Sequence, residues 1–188
     1  MKKWQMISSV VVALVAVLSL TVSVFAQTSQ PLSHETSATL VMAVNDEYKA
    51  RATYQAVLDK FGSVAPFANI VQSEATHIAA LERLFNAYGL PIPPDTYAGN
   101  VQAPATLKDA AQTGVGAEKA NVAMYDGFLT FVKESDVAAV FAQLRGASQA
   151  KHLPAFQGAL SRNTTTGLLY LGPRWSCQDA HASTPTIE

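Results

Sequence analysis

The chain has 188 residues, of which 49% are hydrophobic and only 14% charged, with a formal net charge of −1. That is too apolar for a disordered chain and suits one domain with a sizeable core. A mildly acidic chain without a basic stripe is a poor nucleic-acid binder, and a single cysteine leaves no internal disulfide, so the fold must rest on packing or on metal.

Lys2 and Lys3 precede an apolar run from Ile7 to Leu20, and Val24-Phe25-Ala26 reads as a signal-peptidase site. Residues 1–26 are therefore expected to be a secretory signal peptide. An uncleaved anchor is the alternative, since the run is near spanning length. The expected mature protein is exported, periplasmic or extracellular, with no stable membrane insertion after cleavage. Residues 27–32 form a polar exit segment. From about Ser33 to Phe61, Leu40, Val44, Tyr48, Ala52 and Leu58 recur at helical spacing, and Gly62 ends the helix. A second helix starts near Pro66 and runs to about Tyr88-Gly89, so the first connection is short and the two helices should be antiparallel neighbours.

Pro91, Pro93, Pro94, Gly99 and Pro104 exclude a helix over 89–105, a connection long enough to cross from one end of a bundle to the other. A third helix is expected over about 106–131, weakened by Gly114 and Gly116. A turn around Lys133 leads to a fourth over about 136–161, with Ser135 as its N-cap. Pro154 lies inside that helix and should kink it beside His152. Residues 162–188 read as an apolar strap followed by a loose tail, in which Cys177 and His181 stand four apart. No run after Gly62 alternates as a strand. The class is therefore all-α, a four-helix bundle with one long crossover between helices two and three.

Two stretches repeat. Ser73-Glu74-Ala75-Thr76-His77 matches Ser148-Gln149-Ala150-Lys151-His152, and the Glu47…Tyr54 spacing matches Glu118…Tyr125. Residues three apart share a helix face, so Glu74 and His77 can converge on one ion, the Glu-x-x-His form used in bundle cores. Each tyrosine lies two turns from a glutamate on nearly the same face.

The stretch from Asp46-Glu47-Tyr48-Lys49-Ala50, through Ser73-Glu74-Ala75-Thr76-His77, to Leu144-Arg145-Gly146-Ala147-Ser148 and His152-Leu153-Pro154-Ala155-Phe156, resembles a ferritin-like domain-of-unknown-function family of exported prokaryotic proteins. The resemblance covers about Ser33 to Ser161 and implies a ferritin-like four-helix bundle without implying an activity. Carried over from the wider di-iron carboxylate pattern, it makes Glu47, Glu74, His77, Glu118 and His152 expected metal ligands. Gln149 stands where that pattern has a carboxylate, so it is expected to be a weak ligand or a neighbour of the ligands.

Carboxylate and imidazole donors suit iron first, with manganese or zinc as alternatives. Tyr54 and Tyr125 are expected beside the ligands as hydrogen-bond donors or one-electron relays, although the plainer reading of each is a core tyrosine with a satisfied hydroxyl. The expected function is binding of one or two transition-metal ions, with redox or peroxide handling as the activity such a site would support. The alternative is a non-catalytic metal-binding or structural bundle whose polar core has lost its metal. Asp46, Glu82 and Asp126 read as solvated acids. Metal ions are the expected partners, and an oligomer is compatible with the sequence. No Gly-x-Ser-x-Gly elbow or phosphate-binding glycine loop occurs.

Overall fold

The computed structural model describes residues 31–169, with side chains through Arg162. The signal segment and the Cys177–His181 tail lie outside the described residues. Everything described is helical or irregular, with no strand among these residues: α1 (His34–Phe61), α2 (Phe67–Ala87), α3 (Leu107–Phe128), α4 (Ser135–Ala147) and α5 (Leu153–Leu169). A π-turn, Ser148–His152, joins α4 to α5. Helical backbone angles at Ala147, Ser148 and Leu153 make α4, the π-turn and α5 one continuous rod, so four helical rods build the domain. The fourth rod runs to Leu169 rather than ending near 161. None of the described helices is long and apolar enough to cross a membrane.

The ends follow from local chemistry. Ser33 Oγ accepts the Thr36 N–H at 2.9 Å and caps α1, while Glu35 sits in its positive first turn. Gly62, at φ +80°, turns the chain out of α1. Gly89 closes α2 at φ +64°, with Leu90 N–H donating to Phe85 O at 2.8 Å, the 6→1 bond of a Schellman end. Thr106 caps α3 by accepting from Asp109 N–H. Ser135 is not a cap: Glu134 precedes the first helical residue of α4, and its carboxylate accepts from Thr36 Oγ1 at 3.1 Å instead.

That contact, with the Tyr88 hydroxyl donating to Asp136 at 2.8 Å, gathers the start of α1, the end of α2 and the start of α4. At the opposite end Lys60 Nζ donates to the Pro104 carbonyl at 2.8 Å, bringing the end of α1 to the start of α3. Between them Arg51 pairs with Asp95 at 2.8 Å and holds the 88–106 connection against α1.

The core has two apolar layers. One holds Leu40, Val44, Leu81, Leu84, Tyr125, Phe128 and Phe141; the other holds Tyr54, Val57, Phe67, Ile70 and Phe156. Each contains an aromatic trio built around one tyrosine, with ring centroids 5.2–6.1 Å apart. Gly114 has a specific use here: a Cβ at that position would lie 2.8 Å from Phe156 ring carbons, so the glycine lets α3 and α5 close. The sequence suggested only a weak spot in α3.

Candidate metal centre

A polar layer lies between the two apolar ones. Glu47 from α1, Glu74 and His77 from α2, Glu118 from α3 and His152 from the π-turn are all at most 5% exposed. Unpaired charges at such depth are strongly disfavoured, so these five must satisfy one another or hold an ion.

They form two triads that share one residue. Glu47, Glu74 and His77 bring ligand atoms within 4.8 Å of one another, as do Glu74, Glu118 and His152. Glu74 divides its oxygens between them: Oε2 lies 2.9 Å from His77 Nδ1, and Oε1 lies 3.2 Å from His152 Nδ1. Glu47 Oε2 is 3.1 Å from His77 Nδ1, and Glu118 Oε2 is 3.4 Å from His152 Nδ1. The two imidazoles stack with centroids 5.5 Å apart.

The outer oxygens of the terminal glutamates are held crosswise. Tyr54 of the first repeat donates to Glu118 Oε1 of the second at 2.7 Å; Tyr125 of the second donates to Glu47 Oε1 of the first at 2.8 Å. Burial and the facing carboxylates push both phenols well above their ordinary range, so they stay donors.

The protonation pattern follows from the same contacts. Burial disfavours imidazolium, but Glu47 and Glu74 outweigh it at His77 and raise it to about 10, and Glu118 and Glu74 raise His152 to about 9. Burial lifts Glu47 to about 8, against the hydrogen bond from His77. Burial also works to raise Glu74, yet the facing imidazoles of His152 and His77 hold it down to about 2. In the metal-free protein, protons therefore occupy the space between carboxylates and imidazoles. His152 Nδ1 still lacks a well-aligned hydrogen bond despite being buried. A ring nitrogen aimed between two carboxylates without an aligned partner is the geometry of a ligand atom, one whose proton a bound ion would replace.

Ser73, Asn121 and Ser148 complete the layer, and the sequence reading gave them no role. Ser73 Oγ is 3.2 Å from His77 Nε2 and 3.0 Å from His152 Nε2. A hydroxyl oxygen can accept from both rings, fixing each Nε2 as N–H and leaving both Nδ1 lone pairs for the carboxylate side. Asn121 donates to Asp46 at 2.8 Å and Glu47 at 3.3 Å, and accepts from Ser148 Oγ at 2.9 Å. The signals were present: Ser73 and Ser148 each precede a repeat histidine by four, and Asn121 follows Glu118 by three.

Gln149 is not in the layer. It is exposed, and its Oε1 accepts from Arg145 Nη1 on the surface. The cause is the π-turn. Pro154 has no N–H for the Ala150 carbonyl, and Leu153 N–H reaches back five residues to Ser148 O. The wider turn inserts about one extra residue, which brings Ser148 inward and rotates Gln149 out. The π-turn lies beside His152, where the proline was expected to disturb the helix. Asp46, read as solvated, is half-buried with its carboxyl raised mainly by burial; Asp126 is exposed and pairs with Arg145. Glu82 is half-buried, with the Tyr48 hydroxyl 3.4 Å away.

Residues 36–103 match the model of an uncharacterised protein domain, DUF2202, a stretch that carries Glu47, Glu74 and His77. No curated protein matches the chain. A hypothetical protein from Methanococcus jannaschii DSM 2661 is 24% identical in sequence, with a TM-score of 0.66 over 72% of this chain and 85% of its own. A candidate spore coat protein from Bacillus halodurans C-125 is 17% identical, with a TM-score of 0.59 over 78% of this chain and 97% of its own. At these identities the likeness is one of fold. The chain is all-helical among its described residues, with a DUF2202-like stretch over 36–103 and a buried Glu/His cluster that could hold a metal ion.

Proposed function

We propose that this chain is an exported ferritin-like bundle, with 88–106 as its long crossover, that binds two transition-metal ions of the iron or manganese type. One observation carries the reading: Glu74 offers one oxygen to each of two buried triads. Glu47 and His77 would hold one ion, Glu118 and His152 the other, with Glu74 between them. The donor set is nitrogen and oxygen only, which suits iron, manganese or zinc rather than soft copper(I). Bound iron or manganese would supply Lewis acidity and one-electron chemistry toward oxygen or peroxide.

The chain's own residues do the rest. Tyr54 and Tyr125 orient the terminal carboxylates, Ser73 sets both imidazole tautomers, and the two apolar layers limit access of water. The test is elemental analysis of the full chain expressed with iron, manganese and zinc each supplied in turn. Two redox-active ions per chain support the reading, and oxygen and peroxide consumption would then be assayed. Retention of zinc alone favours non-catalytic binding, and no metal at all refutes the centre.

A further inference from the structure

The two ion positions differ in their surroundings. A cavity of about 340 Å³ opens between α1 and α3, with room for several waters. Its buried floor is Tyr54, Glu74, Glu118 and Asn121, and its exposed rim includes Lys49, Ala117 and Ala120. A second opening, about 270 Å³, lies between α2 and α5 and reaches Ser73 and His152. Glu47 and His77 line neither. The Glu118–His152 position is the accessible one.

Charge decides what would arrive there. Two divalent ions facing three carboxylates and two neutral imidazoles leave one positive charge without a partner. The fourth rod cannot supply the missing anion, because its inward residue is Ser148, already donating to Asn121, and Gln149 is on the surface. Asp46 is the one other acid on this cavity, and its Oδ2 is engaged by Asn121 Nδ2 at 2.8 Å.

We infer that the α1/α3 cavity is the binding site for a small exogenous monoanion of the hydroxide, hydroperoxide or azide class, held at the Glu74–Glu118–His152 position. The inference rests on the two-ion reading above. The anion completes the charge balance that helix four leaves open, and Lys49 at the rim favours its approach. The ion at Glu47–His77 stays closed to it. The small side chains of Ala117 and Ala120 keep the path wide enough.

The experiment loads the full chain with cobalt(II), counts the bound ions, and titrates azide while following the visible ligand-field spectrum. The expected result is two cobalt ions, one of which changes its spectrum with one azide per chain. Ala117→Leu and Ala120→Leu should keep both cobalt ions and lose the azide response. Two cobalt ions with no response to azide overturn the anion site alone. An undiminished response in both leucine variants overturns its assignment to this cavity. A loss of cobalt in Asp46→Asn, with wild type silent to azide, would mean that Asp46 supplies the charge, which also overturns it. Failure to bind cobalt overturns the metal centre and the anion site together.

Discussion

Replacing Ser73 separates the role of a hydroxyl from that of the ligands. Ser73 Oγ faces the Nε2 atoms of His77 and His152 at 3.2 and 3.0 Å. Both rings would bind metal through Nδ1, so one oxygen orients ligands to both ions. Outer hydrogen-bond partners of this kind are worth about 10–100-fold in metal affinity, or about 1.4–2.7 kcal/mol. Ser73→Val removes the acceptor and fills its space. It strands two buried N–H donors, each at a cost of about 1–3 kcal/mol, so both ions should weaken by about 10–100-fold. Ser73→Ala should lose less, because the opening between α2 and α5 reaches this point and admits water. Ser73→Thr keeps the oxygen and should retain tight binding. Competition against a chromophoric chelator measures each affinity. Unchanged affinity in Ser73→Val would refute the claim that this hydroxyl sets the imidazoles.

Three further outcomes follow from the same geometry. Glu74→Gln should abolish binding of both ions, whereas Glu47→Gln and Glu118→Gln should each leave one; titration calorimetry gives the stoichiometries, and equal losses in all three would show that Glu74 is not shared. Gly114→Ala should cost about 1–3 kcal/mol of stability by overpacking against Phe156, read from denaturant midpoints. The metal-free protein should lose stability as pH rises from about 6 to about 10. The sign follows from His77 and His152, whose values rise on folding from 6.5 to about 10 and about 9, so their contribution is complete below 6.5 and lost as pH climbs through the folded values. Glu47, raised from 4.5 to about 8, acts in the same direction. Glu74, lowered to about 2, gives stability above 4.5 that is lost only in strong acid. Saturating metal should flatten the alkaline loss, since it replaces the departing protons. A metal-free protein most stable near pH 10 would contradict the assigned contacts.

Much of this architecture was legible because helical periodicity is a local signal. Leu40, Val44 and Tyr48 sit inward because they share one face of a 3.6-residue helix, and Gly62 and Gly89 end helices because only glycine takes their positive φ cheaply. Glu74 and His77 meet for the same reason, three residues apart. The gathering of Glu47, Glu118 and His152 with them was legible only through the repeat and the resemblance to the di-iron carboxylate pattern, since spacing along one helix says nothing about which helices face each other. The crosswise bonds of Tyr54 and Tyr125 depend on that facing, as does the contact that makes Gly114 necessary. Ser73 was overlooked because a serine four residues from a histidine carries no strong signal until both histidines are seen to converge on it.

Gln149 shows where local reasoning misled, and it yields the sharpest remaining test. Aligned by sequence, it occupies the place of Glu74, which suggests that Gln149→Glu would restore a lost ligand. The π-turn makes that substitution ineffective, because a glutamate at 149 would lie beside Arg145 on the surface. The constraint originates at Pro154, which cannot donate to Ala150 O and leaves Leu153 N–H bonded to Ser148 O. An alanine there restores the missing donor, so Pro154→Ala should allow an α-helical register in which residue 149, three before His152, turns inward. Gln149→Glu alone is therefore expected to leave metal affinity unchanged. Gln149→Glu with Pro154→Ala should raise it, and should remove the azide response by supplying the anion from within. Calorimetric titration of the two variants against Pro154→Ala alone decides the matter. A gain from Gln149→Glu in the native background would refute the register argument, whereas a gain confined to the double variant would trace the incomplete ligand set to the proline.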